Sequence, residues 1–191
     1  MITHLPNLLS DEAQVRMLNT IREIDRLAPF YTPKYGNRPM RLMQTNCGTY
    51  GWLAGPNRYE KINPHTGQLW PRMPKNFQSL AVKLAEKIGH QNFDPQCCLI
   101  NLYSVNSVLP FHQDNDEHCN APIISISLGS SCIFQVKEGN EILDYQLNSG
   151  DAIILSHEHR YAYHSAARII PNTSKLLKDD KRINLTFRQV F

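Results

Sequence analysis

His112 and Asp114 are separated by one residue, within the stretch Asn101–Glu117 (NLYSVNSVLPFHQDNDE). In an extended strand, residues i and i+2 project from the same face. An imidazole and a carboxylate at this spacing can therefore reach one ion. His164, which follows Tyr163 much later in the chain, would complete a set of two histidines and one carboxylate. Such a set holds a non-haem ferrous ion and leaves positions open for oxygen and a chelating co-substrate. His157-Glu158-His159 is a competing pair of imidazoles. His164 is preferred because it follows an apolar, aromatic segment, Tyr161-Ala-Tyr163, whereas His157 and His159 sit in a charged turn.

Oxidation at such a centre needs electrons, and a 2-oxoacid can supply them. The far carboxylate of that acid needs a cationic anchor. Arg182 and Arg188 lie on one face of a predicted strand, with Asn184 and Thr186 between them on that face. A guanidinium fork suits a bidentate grip on a carboxylate. Asn101 and Tyr103 share one face of their own strand and offer further hydrogen bonds.

The elements that must position these groups are legible as periodicity. Residues 10–27 predict a covering helix, with Ser10 as N-cap, Asp11 and Glu12 at its positive end, and a stripe of Val15, Met17, Leu18, Ile21, Ile24 and Leu27. Residues 75–88 predict a second helix through Phe77, Leu80, Ala81, Leu84 and Ile88, stopped by Gly89. Between them, Tyr31–Pro74 is broken by glycines and prolines, with a short strand pair expected in Arg41–Trp52 through Asn46-Cys47-Gly48. So long an irregular segment suits a lid or binding surface. After Asp94-Pro95 the texture turns to short strands: Cys97–Tyr103, Pro122–Leu128, Cys132–Lys137, Ile142–Leu147, Ala152–Leu155, Tyr161–His164 and Arg182–Val190, with a polar loop over 165–181. That pattern predicts a mainly β fold with flanking helices, a double-stranded β-helix or jelly roll. One domain over 1–191 is expected, with helices and a lid in 1–92 and the barrel in 93–191.

The chain of 191 residues carries a net charge of +3 that hides an asymmetry. Residues 1–92 hold 12 Lys and Arg against 6 Asp and Glu, while residues 93–191 hold 8 against 11. Between Phe30 and Lys75, Lys34, Arg38, Arg41, Arg58, Lys61, Arg72 and Lys75 face only Glu60. Tyr31, Tyr35, Tyr50, Trp52, Tyr59 and Trp70 are interleaved with them. Cations beside aromatic faces are what unpaired bases and their phosphates need. The bland reading makes Trp70 a core anchor and the basic stretch a solvated surface. No run of about 18 or more apolar residues suggests a membrane span. The N-terminus lacks the pattern of a signal peptide, and five unpaired-looking cysteines fit a reducing compartment. A cytoplasmic monomer without membrane attachment is the expectation.

From Asn101 onward the chain resembles the AlkB family of Fe(II)/2-oxoglutarate dioxygenases. The matching pieces are Asn-Leu-Tyr (101–103), His112-x-Asp114-x-Asp116-Glu117, Pro122–Gly129, Ile133-Phe-Gln135, Gly150-Asp151, Arg160-x-x-Tyr163-His164 and Arg182-x-Asn-Leu-Thr-Phe-Arg188. Upstream, Thr45–Gly48, Gly51-Trp52 and Trp70-Pro-x-Met-Pro74 look like the bacterial, nucleic-acid repair branch. The resemblance implies Fe(II) on His112, Asp114 and His164, and 2-oxoglutarate held by Asn101, Tyr103, Arg182, Asn184 and Arg188. It implies oxidation of N-alkyl groups on bases such as 1-methyladenine and 3-methylcytosine in DNA, with RNA as a further target, releasing succinate, CO2 and formaldehyde. Such bases are cationic, so a flipped base could stack between Trp52 and the His112 ring. Asp116 would accept from its exocyclic amine, and Tyr59 would contact phosphate or substrate. Asn115, Ser156-His157 and Ser165 depart from the residues common in close relatives, as does the short recognition loop Asn57–Glu60. The alternative is a dioxygenase of the same type acting on a protein side chain or a small molecule.

Overall fold

The computed structural model describes residues 1–55 and 58–191. The chain opens with β1 (Ile2–Leu5), α1 (Asp11–Leu27), the short hairpin β2 (Lys34–Tyr35) and β3 (Arg38–Pro39), and β4 (Met43–Gly48). There follow β5 (Gly51–Trp52), β6 (Tyr59–Glu60), α2 (Lys75–Lys87), β7 (Cys97–Tyr103) and β8 (Leu109–His112). The rest is β9 (Ile123–Gly129), β10 (Ser131–Glu138), β11 (Glu141–Leu147), β12 (Ala152–Leu155), β13 (His164–Ile170) and β14 (Arg182–Arg188). All the pairings are antiparallel. They build a six-stranded sheet, β1-β12-β9-β14-β7-β4, and a four-stranded sheet, β11-β10-β13-β8. The predicted mainly β architecture with two flanking helices holds, as a jelly roll.

Period-2 alternation divides each central strand between two cores. On one face of the large sheet, Ile100, Ile124, Ile126, Leu185 and Phe187 join Met17, Leu18, Ile21 and Ile24 of α1 and Phe77, Ala81 and Leu84 of α2. On the other, Tyr103, Ile123 and Ile153 meet Phe134, Val136, Ala166 and Ile169 of the small sheet. Strand β14 is buried along its whole length. Its odd-numbered Ile183, Leu185 and Phe187 face the helices. By alternation, its even-numbered Arg182, Asn184, Thr186 and Arg188 face the space between the sheets. Helix α1 keeps the predicted cap, with Ser10 Oγ accepting from the Ala13 amide. Its buried stripe is Gln14, Met17, Leu18, Ile21 and Ile24, whereas Val15 and Leu27 are exposed.

Two sequence expectations are corrected, and one strand lies outside them. The strand expected at Tyr161–His164 begins only at His164 and continues to Ile170, into the segment expected to be a polar loop. A bulge between His164 and Ala166 breaks the alternation that would have revealed it. The turn expected at Asn46-Cys47-Gly48 does not form. Strand β4 runs unbroken through it and pairs with β7 at the sheet edge, and β5 pairs with β6 instead. Strand β1, which pairs with β12, was not anticipated. Trp70 is a core residue, at 4% exposure. Its ring lies so close to Gly51 that a Cβ there would sit 2.2 Å from it. Glycine thus lets the backbone carrying Trp52 lie flat on Trp70. Four of the five cysteines are buried and all five are free.

Candidate metal centre

Strands β8 and β13 pair with His112 directly opposite His164. That register brings the ring centroids to 4.3 Å. Each Nδ1 lies 2.9 Å from a carbonyl two residues earlier, Pro110 O for His112 and Ala162 O for His164. With Nδ1–H donating there, each Nε2 keeps its lone pair for a ligand bond. The expectation that Asp114 shares a strand face with His112 is corrected: β8 ends at His112, and Asp114 lies just beyond it on irregular backbone. Its Oδ1 is 3.9 Å from His112 Nε2 and its Oδ2 is 3.7 Å from His164 Nε2. These gaps are too long for hydrogen bonds and of the size that metal–ligand bonds of about 2 Å span. Among the described residues, His112, Asp114 and His164 are the group whose donor atoms gather within 4.8 Å. His157 and His159 lie outside it, in a single turn of 3-10 helix, with His159 Nε2 2.8 Å from Glu138 Oε1.

Asp114 is held from behind by buried charge. Arg188 Nη2 donates to its Oδ1 at 2.7 Å, and Arg188 Nη1 donates to Glu117 Oε1 at 3.2 Å and to the Tyr59 hydroxyl at 3.1 Å. Arg160 Nη2 donates to Glu117 Oε2 at 2.8 Å, while its other nitrogens donate to the Asp114 and Ala121 carbonyls. Tyr59 donates its hydroxyl proton to Glu117. Two guanidiniums and two carboxylates thus balance one another out of reach of water. Glu117 and Arg160 entered the sequence reading only as members of matching motifs. Three acids crowded at 114, 116 and 117 were the available sign that buried cations must be near.

This network fixes protonation states. Burial pushes the Asp114 carboxyl up, but Arg188, and after it His164, His112 and Arg160, bring it down from 3.8 to about 2. A carboxyl depressed in the folded state contributes stability above its unfolded value, and loses it as pH falls through the folded value. The stabilisation, roughly 2 kcal/mol at 1.36 per unit, is therefore full above about pH 4. It should vanish as pH approaches 2. Circular dichroism of the metal-free protein against pH checks this: Arg188→Met should move the acid transition to higher pH. Burial also lowers His164, against the pull of Asp114. The imidazole is thereby kept neutral, as a metal ligand must be.

Beside the three ligands, Arg182 is 1% exposed. Its Nη2 donates to Ser127 Oγ at 2.8 Å, and the guanidinium lies 5.3 Å from the Tyr103 ring. Among the described residues, its Nε and Nη1 have no partner, and neither has Asn101 Oδ1. Buried polar groups left open in this way are costly unless a ligand completes them. A carboxylate fits the Arg182 fork. Asn101 Nδ2 reaches the Tyr103 hydroxyl at 3.5 Å, and Asn184 Nδ2 donates to Ser125 Oγ at 2.7 Å. Arg188 differs from the expected second clamp. Both of its terminal nitrogens are committed to Asp114, Glu117 and Tyr59, and among the described residues Nε has no partner.

On the open side, Trp52 lines the same cavity as His112. The Asn46 side chain pins its backbone, accepting from Trp52 N at 3.0 Å and donating to Trp52 O at 3.1 Å. Its indole Nε1 donates to Asp116 Oδ2 at 2.9 Å, and Arg58 Nε lies 3.4 Å from Asp116 Oδ1. The structure turns the Tyr59 hydroxyl inward to Glu117 and Arg188, not outward to solvent. Asn57, in the expected recognition loop, lies outside the described residues.

The 2OG-Fe(II) oxygenase superfamily matches residues 1–188. The chain is 36% identical over 186 residues to the alpha-ketoglutarate-dependent dioxygenase AlkB of Escherichia coli (strain K12), covering 93% of this chain and 85% of that protein. It is 29% identical over 235 residues to the tRNA demethylase abh1 of Schizosaccharomyces pombe, covering 97% and 78%. The solved structure of OsALKBH1 superposes with a TM-score of 0.83 at 27% identity, covering 98% of this chain and 97% of that one.

Proposed function

The chain belongs to the 2OG-Fe(II) oxygenase superfamily, in its AlkB family, and on that premise we propose that it oxidatively removes N-alkyl groups from nucleic-acid bases. The observation that carries this reading is the juxtaposition of three metal donors, a buried guanidinium with open donors, and an indole at the mouth of one cavity. Fe(II) would be held by His112, Asp114 and His164. With 2-oxoglutarate and O2 it supplies the oxidation of an N-alkyl carbon, giving succinate, CO2 and, from a methyl group, formaldehyde.

The remaining work falls to side chains. Arg182 grips the far carboxylate of 2-oxoglutarate, with Tyr103, Asn101 and Asn184 around it. Arg188 keeps the Asp114 carboxylate ionised and aimed, leaving Nε toward the co-substrate. Trp52 stacks on the flipped base, opposite the His112 ring. Asp116, bonded to the indole, holds that ring in place and sets a negative charge beside a cationic base. Tyr59 ties the lid to Glu117 and Arg188. We read residues 1–191 as one domain, supported by α1 and α2 sharing a core with the large sheet. We also read it as a cytoplasmic monomer, supported by five free cysteines of the kind a reducing compartment keeps. Among the described residues, no helix is long and apolar enough to cross a membrane.

The direct test is incubation with oligonucleotides carrying 1-methyladenine or 3-methylcytosine, in DNA and RNA, with Fe(II) and 2-oxoglutarate. Restored base and formaldehyde are expected. Succinate formed in step only with a peptide or small molecule would favour the alternative substrate class. Trp52→Ala should weaken binding of a cationic methylated base. A cation–π contribution of about 0.5–2 kcal/mol corresponds to roughly 2- to 30-fold. Affinity for 2-oxoglutarate should be unchanged. Fluorescence anisotropy on labelled oligonucleotides, with and without the lesion, measures the difference.

A further inference from the structure

We propose that the cleft at the end of the six-stranded sheet, outside Tyr103, is the port through which 2-oxoglutarate enters and succinate leaves, separate from the face that receives the nucleotide. The proposal rests on reading Arg182 as the carboxylate anchor.

That anchor is deeply enclosed. Arg182 and Tyr103 are each 1% exposed. The cavity they line is about 80 Å³ and also holds Trp52 and His112. A base seated between those two rings would close the metal side of this small cavity. Exchange with the base in place therefore needs another opening. The cleft supplies one. It is about 390 Å³, and Met40, Leu42 and Tyr103 line both it and the cavity, so these three side chains form the wall between them. Met40 is long and unbranched, the kind of side chain that yields without strain.

The chemistry of the cleft suits a dianion. Arg41 and Lys181 stand at its rim. Lys181 directly precedes Arg182, so cations lie outside and inside the wall in sequence. The nearest acid to Lys181 is Asp179, 3.7 Å away and 79% exposed, on the solvent side. Cations along a confined path concentrate an anionic ligand and raise its rate of entry. Asn106 also lines the cleft, on an exposed turn where a larger side chain would obstruct it.

The test is stopped-flow binding of 2-oxoglutarate to protein loaded with Mn(II), with and without saturating methylated oligonucleotide. Arg41→Glu/Lys181→Glu should lower the association rate on the order of tenfold. Lys83→Glu/Lys87→Glu, an equal charge change on the exposed face of α2, should alter it less than about twofold. Asn106→Phe should slow association and dissociation together and leave the equilibrium constant unchanged. In the wild type, 2-oxoglutarate should still exchange with oligonucleotide bound. Equal rates for the two charge-reversed proteins would overturn the port, as would exchange blocked by bound oligonucleotide. The anchor is judged separately: Arg182→Met binding 2-oxoglutarate as tightly as the wild type at equilibrium would overturn that premise instead.

Discussion

Asp114→Asn is expected to abolish turnover and to destabilise the metal-free protein, whereas His112→Ala should abolish turnover with little loss of stability. The difference lies in what stands behind each ligand. His112 is half-exposed and its Nδ1 touches only a neighbouring carbonyl. Its loss opens a coordination position and little else. Asp114 neutralises Arg188, which is 4% exposed. An amide at 114 leaves that guanidinium facing one carboxylate, Glu117, already shared with Arg160. Breaking a buried pair from one side costs about 3–5 kcal/mol. Loss of a ligand itself should exceed the roughly 10–100-fold effect of losing a hydrogen-bond partner of a ligand. Thermal denaturation of the apoproteins, titration with Mn(II), and product assay separate the two effects. Retained turnover in either variant would mean that the ligands are misassigned.

Arg182→Met should act with opposite signs on stability and on co-substrate binding. In the free protein, two of the three guanidinium nitrogens are buried without partners among the described residues. An apolar side chain of similar length removes that burden, so the melting temperature of the apoprotein should stay level or rise. With 2-oxoglutarate the balance reverses, because its far carboxylate would be buried without a cation. A loss of about 3–5 kcal/mol is a weakening of roughly 10²- to 5 × 10³-fold. Thermal shift with and without 2-oxoglutarate and Mn(II) reads both signs in one experiment. A variant that lost stability and kept its affinity would show that Arg182 is structural.

The sites most open to error in the sequence were those where a regular period is interrupted. Tyr161-Ala-Tyr163 alternates like a strand, yet the chain there is still turning out of the 3-10 helix so that Arg160 can reach Glu117 and the Asp114 and Ala121 carbonyls. The strand that does exist, His164–Ile170, carries a bulge and so hides its own alternation. Strand β1 is four residues long and gains its partner, β12, from the far end of the chain. No local signal marks such a pairing.

The sequence alone determined which residues share a face. Alternation in a strand is a property of the backbone, so Arg182, Asn184, Thr186 and Arg188 had to point one way and Ile183, Leu185 and Phe187 the other. The same rule gave Asn101 and Tyr103. It did not place Asp114, because β8 ends at His112 and the carboxylate reaches the imidazoles from beyond the strand. What only the tertiary structure decided was which charges neutralise which. Arg182 and Arg188 are chemically identical and equally placed on their strand, yet one is left open to a ligand and the other is spent on Asp114 and Glu117. Low-dielectric ion pairing depends on distance in space, and the separation between residues 114 and 188 along the chain carries no trace of it.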